Sequence, residues 1–211
     1  VTSDVRAGQP KAEPVPAGMP AGVGAGQESS FEIVPIRGLL VAGLWLVGLV
    51  VALLANTMWA VDFFHVVSGA LWTAIDLFVG FIVGPILGTL PIPSRAEFAK
   101  RFMPKMVVLM PTLVVATLAA GIQLARLDHN LLPGAPGHPW VVASFVVVGI
   151  MTLVAIGFVE TANFAVLFEL RKPRPNGELV GRLMRRFIYT AAITGAMQVA
   201  TLVIMTRLAS L

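Results

Sequence analysis

The sequence predicts an all-α, polytopic transmembrane helical bundle of five spans. Three observations carry that prediction. Of 211 residues, 57% are hydrophobic and only 12% are charged, where a soluble domain carries about a quarter charged residues. Five apolar runs each approach or exceed the ~20 residues that cross ~30 Å of hydrocarbon. The basic residues are confined to short segments between those runs and gather on one side of the array. A mean hydropathy of +0.86 agrees, and the pI near 10.1 therefore reflects loop placement. The expected partner is the lipid bilayer, with no nucleic acid. Cysteine is absent, which excludes disulfides, iron–sulfur clusters and thiolate metal sites, and leaves the compartment open.

Residues 1–35 are rich in Pro, Ala and Gly and cannot bury enough surface to fold alone. They read as a cytoplasmic tail, disordered or held by a partner. Gly22-Val-Gly24-Ala-Gly26 lies in this tail without a flanking strand or helix, so it is not a dinucleotide fingerprint. No cleavable signal sequence is evident, because the segment before the first apolar run is too long for an ordinary n-region. Residues 36–211 form the transmembrane bundle. The first span is expected at 38–57 and the second at 61–87. Few polar residues separate them, so they must form a tight antiparallel hairpin around Asn56–Ala60.

The third span is expected at 106–127, led in by a short helix that Ser94-Arg-Ala-Glu97 opens as a capping box. Pro85 and Pro111 are expected to kink spans two and three. Leu131 to Pro139 is an irregular loop, followed by a fourth span at 140–168. Pro173, Pro175, Asn176 and Gly177 then break the chain before a fifth span at 187–208. The loop after span two holds Arg95, Lys100, Arg101 and Lys105; the loop after span four holds Arg171, Lys172, Arg174, Arg182, Arg185 and Arg186. The positive-inside rule puts the N-terminus in the cytoplasm and the C-terminus outside. Trp59 and Trp140 then sit at the outer interface. Gly80, Gly84 and Gly88, together with the Ala116/Ala120, Thr117/Gly121 and Ala191/Gly195 spacings, are expected to let helix backbones approach closely.

The second span carries an unusual polar stripe. Ionisable groups in hydrocarbon cost at least a few kcal/mol each, so they face a partner, a cavity or a cofactor. At 100° per residue, His65 and Asp76 differ by only about 20° around the helix and by about 16 Å along it. Trp72 shares the stripe, with Asp62 and Met58 nearer its outer end. Span four adds Glu160 and Asn163, span three Gln123, and span five Gln198 with Thr194 and Thr201. Three readings compete. His65 could ligate a haem or a metal ion, with Met58 as a thioether donor suited to copper. Asp76 and Glu160 could be protonatable carboxylates in a transport path, with Asp62, Asn163, Gln123 and Gln198 along it. Or these groups could merely satisfy one another between helices. The Met103/Met106/Met110 stripe reads as packing. The sequence holds no phosphate loop, no G-x-S-x-G, no H-E-x-x-H and no nucleophilic cysteine.

Phe64-His65-Val-Val-Ser-Gly-Ala-Leu-Trp72, followed by Phe81 and Pro85, resembles the H-x(6)-W helix that opens small bacterial membrane proteins related to the copper-resistance D family. That group includes HemJ-type protoporphyrinogen oxidases. Arg101-Phe-Met-Pro-Lys-Met-Val-Val-Leu-Met-Pro-Thr112 and Gly121-Ile-Gln-Leu124 are similar to the next span of that pattern, so the resemblance covers roughly residues 60–127. It implies a four-helix core, here with one extra N-terminal helix, in a bacterial inner membrane. It implies haem b, or copper, with His65 as ligand and Trp72 lining the site. HemJ-type members also carry a functional lysine in their third helix. Residues 141–168 contain none, which argues against protoporphyrinogen oxidation. Two opposing expectations stand beside the redox one: an accessory subunit of a larger membrane complex or homo-oligomer, and a small proton-coupled transporter using Asp76 and Glu160.

Overall fold

A computed structural model of the chain describes residues 34–211. All but the last two residues of the expected tail, and the Gly22–Gly26 run within it, lie outside the described residues. Five helices are long and apolar enough to cross a membrane: α1 (Ile36–Ala55), α2 (Met58–Thr89), α3 (Ile92–Leu127), α4 (His138–Leu170) and α5 (Gly177–Ala209). The described residues contain no strand. The chain is an all-α integral membrane bundle.

The boundaries follow from local chemistry. Helix α1 stops at Asn56, which takes a left-handed conformation (φ 53°) and donates its backbone N–H to the Ala52 carbonyl. Asparagine tolerates this region better than most residues. Thr57 is extended and α2 begins at Met58, so the hairpin is tighter than the sequence implied. The expected capping box does not form. Helix α3 starts directly after Pro91, with Pro93 in its first turn, where a missing N–H costs nothing. Ser94 therefore lies inside the helix. Arg95 turns back instead, donating to the carbonyls of Leu90 (2.7 Å) and Gly88 (2.8 Å), and so ties the end of α2. The short lead-in helix and span three are one 36-residue helix that runs unbroken through Pro104 and Pro111. Helix α5 likewise starts well before position 187. Asn176 Oδ1 accepts the N–H groups of Glu178 and Leu179 (both 3.1 Å), and the first turns are amphipathic, with Val180 and Met184 buried and Arg182 and Arg185 exposed.

Helices α2 and α4 are each interrupted once by a π turn, at Val79–Val83 and at Ala155–Glu160. The irregularity expected at Pro85 takes this form: the Gly84 N–H reaches the Val79 carbonyl, one residue further back than an α-helical bond.

Helices α2 to α5 make the core. Helix α2 packs on α3 and α5, α4 packs on α5, and α3 also touches α5. Helix α3 meets α4 mainly through Thr161–Leu170; nearer the other end of α4 the two helices diverge. Trp72, Met103, Met110, Met151, Val159, Leu167, Met184 and Phe187 fill the centre. Helix α1 stands outside, buries only Leu49 and Ala52, and seats Leu49 against Val61, Ala116 and Ala120. Its other faces are bare, with Leu44 74% and Leu54 81% exposed, as a lipid-facing helix requires. This is the four-helix core plus one N-terminal helix.

Candidate functional site: a carboxylate cavity within the bundle

Small residues place the site. Glycine at position 80 puts the α2 backbone against α5: a Cβ there would lie 2.6 Å from the Ala192 Cβ and 2.7 Å from its Cα. Gly84 meets the side chain of Ile188, and Gly195 of α5 faces the Asp76–Leu77 backbone. Gly88, by contrast, meets nothing within 4 Å, so of the Gly80, Gly84, Gly88 series only the first two serve the close approach. Because the two backbones are this near, Thr194 and Gln198, one turn apart on α5, both reach the same carboxylate.

That carboxylate belongs to Asp76, which is 3% exposed. Its Oδ2 accepts hydrogen bonds from Gln198 Nε2 (2.8 Å) and Thr194 Oγ1 (3.1 Å). At 1.5 Å per residue, Asp76 stands about 27 Å along α2 from Met58 and about 20 Å from Thr89, deep in the span. Beside it is a cavity of about 100 Å³, lined by Trp72 and Asp76 of α2, Met110, Pro111, Val114 and Val115 of α3, Ala155, Ile156, Val159 and Glu160 of α4, and Thr194 of α5. Glu160 thus faces the cavity that Asp76 faces. Glu160 Oε2 is buried without a hydrogen-bond partner, as is Gln198 Oε1. Both π turns adjoin this place: one begins three residues after Asp76, and the other ends on Glu160. A π turn shifts the residues beyond it around the helix, and such turns recur at functional sites.

The remaining polar residues part company with this pair. His65 turns to α3, where its Nδ1 lies 2.9 Å from the Thr117 carbonyl and its ring fills the space a side chain at Gly121 would need. It does not line the cavity, so the imidazole and the two carboxyl groups do not share one interior. Gln123 donates to Asn56 Oδ1 at the α1–α2 turn. Asp62 and Met58 are exposed. Asn163 is fully buried one turn beyond Glu160, with neither amide atom partnered. Thr201 bonds the Met151 sulfur and the Met197 carbonyl.

Cofactor fit divides along the same line. A cavity of about 100 Å³ falls far short of the ~300–1,000 Å³ of sites for cofactor-sized ligands, so a haem does not fit beside Trp72. Among the described residues no group of three or more His, Cys, Asp or Glu is arranged to hold a metal ion.

Sequence reasoning passed over Glu169, which is buried and structural. It pairs with Lys172 and accepts the Asn176 backbone N–H (3.0 Å), clamping the α4–α5 loop onto the residue that caps α5. A lone acid at the end of an apolar run, three residues before a lysine, was the available signal. No known protein family, curated protein or solved structure matches the chain.

Proposed function

We propose that this integral membrane protein is a small proton-coupled transporter in which Asp76 and Glu160 carry the coupling. One observation carries the reading: two carboxyl groups from different helices face one small cavity deep within the bundle. Each can hold a proton or a charge, and a cation entering between them can exchange with a proton. Ionisable residues kept inside a span are expensive, and their usual use is a substrate or proton path. In this reading the N-terminus is cytoplasmic and the membrane is the inner membrane of a bacterium.

The test is reconstitution into liposomes containing a pH-sensitive dye, with a gradient of Na⁺, K⁺ or dodecylammonium imposed in turn to drive protons the other way. The native chain is expected to carry a proton flux above that of protein-free liposomes, and Asp76→Asn and Glu160→Gln each to abolish it. Equal flux in native and doubly substituted protein would end the proposal.

A second reading keeps His65 as a ligand of copper or haem b. It is favoured by the hydrogen bond between Nδ1 and the Thr117 carbonyl, which leaves Nε2 as the free ring nitrogen. Ligating imidazoles are commonly oriented this way. A visible spectrum and metal analysis of the purified protein decide it: a colourless, metal-free, folded preparation dismisses it.

A further inference from the structure

We infer that the Asp76–Glu160 cavity takes the cationic head of a membrane-dissolved amine, admitted sideways from the bilayer between α3 and α4. The inference rests on the transport reading above and adds the substrate class and its route.

The route comes from where the lining sits. Each lining residue stands at least about 15 Å along its helix from the helix's end, so neither aqueous face is near. Yet part of the lining lies on the outer surface of the bundle. Val115 is 52% and Ile156 61% exposed, and Pro111 beside them is exposed as well. These residues come from the two helices that diverge beyond Thr161, so the gap opens at the level of the cavity. What surrounds the chain at that depth is acyl chain. A ligand that uses this mouth must already be dissolved in lipid.

The substrate class comes from size and sign. A volume of about 100 Å³ is about three times the ~30 Å³ share of a liquid water molecule. It accommodates an ammonium group with its nearest methylenes, while an alkyl tail stays in the cleft among lipid chains. Two carboxyl groups face the space, and no other lining residue is titratable. Glu160 Oε2, buried and unpartnered, supplies an acceptor that an ammonium N–H would satisfy. Binding then exchanges a carboxyl proton for the ammonium, with no covalent change.

The experiment measures binding of labelled dodecylammonium to the full chain in nanodiscs of zwitterionic lipid, corrected with empty nanodiscs. Saturable binding is expected, weakened at least about tenfold by Asp76→Asn and by Glu160→Gln. Ile156→Trp and Val115→Trp, each on the lipid-facing surface, are expected to block it while circular dichroism and melting stay native. Methylammonium, which is water-soluble and tailless, is expected not to compete. Absence of saturable binding overturns the inference, as does binding indifferent to the carboxyl substitutions. Full competition by methylammonium with no effect of either tryptophan overturns the lipid route. The two proposals fail separately. Proton flux with no amine binding removes only this inference, whereas flux untouched by the carboxyl substitutions removes the transport reading even where dodecylammonium binds.

Discussion

At the scale of single residues, the buried polar groups differ in how completely they are satisfied, and the difference has measurable consequences. Asp76 Oδ2 holds two donors, and Gln198 is the nearer at 2.8 Å. Gln198→Leu removes that donor from a buried acceptor. Deletions of this kind cost about 1–3 kcal/mol in soluble proteins, and interhelical hydrogen bonds in membranes average nearer 0.6. A loss of about 1 kcal/mol is therefore expected, read as a lower melting temperature in detergent; an unchanged melting temperature would show that the bond contributes nothing. Asn163 gives the opposite expectation. It is fully buried and neither amide atom has a partner, so it bears a desolvation cost with no return. Asn163→Leu, which keeps the number and branching of side-chain heavy atoms, is expected to leave stability unchanged or raise it by about 1 kcal/mol. A clear loss would mean that water or a bound solute satisfies Asn163 in the membrane.

At the scale of elements, the α2–α5 contact decides where the site can be. Gly80→Ala forces a methyl group within 2.7 Å of the Ala192 backbone, so the helices must separate. Overpacking of this kind costs about 1–3 kcal/mol, and here it also draws Thr194 and Gln198 away from Asp76. Gly88→Ala, which meets nothing, is expected to stay within about 0.5 kcal/mol of native. Parallel melting curves of the two variants check the contrast, and equal effects would refute the assignment. This is also where the sequence was partly legible. Hydropathy located the spans, because length and apolarity are one-dimensional properties. The GxxxG spacing marked the close-packed face of α2, yet it could not tell that Gly88 lies past the contact. The 100° rule put His65 and Asp76 on one stripe. It could not tell that one end of the stripe faces α3 and the other α5, since that depends on which neighbour lies beside each turn. The π turns were invisible because a loosening of five or six residues leaves no mark in a hydropathy pattern. They act next to Asp76 and at Glu160, where they shift the rotation on which pairing depends.

At the scale of the whole molecule, the connections between the five spans alternate between the two faces of the bundle. The α2–α3 and α4–α5 connections lie on one face, and the α1–α2 turn and the α3–α4 loop lie on the other. The first face carries Arg95, Lys100, Arg101, Lys105, Arg171, Lys172 and Arg174, and the orientation proposed above from the positive-inside rule turns it to the cytoplasm. The direction matters to the transport reading. Glu160 stands about 15 Å along α4 from the basic face, whereas His138, at the other end of α4, is about 33 Å away, so the shorter aqueous path from the carboxyl pair leads to the basic side. The absence of cysteine makes the orientation testable without removing native thiols. Leu132→Cys and Arg174→Cys replace exposed residues in opposite connections and should cost within about 0.5 kcal/mol. In intact spheroplasts a membrane-impermeant maleimide is expected to label the cysteine at position 132, and to label the one at position 174 only after the membrane is opened. The reverse pattern would invert the bundle, turn the basic face outward, and reverse the direction of the proposed proton release at Glu160.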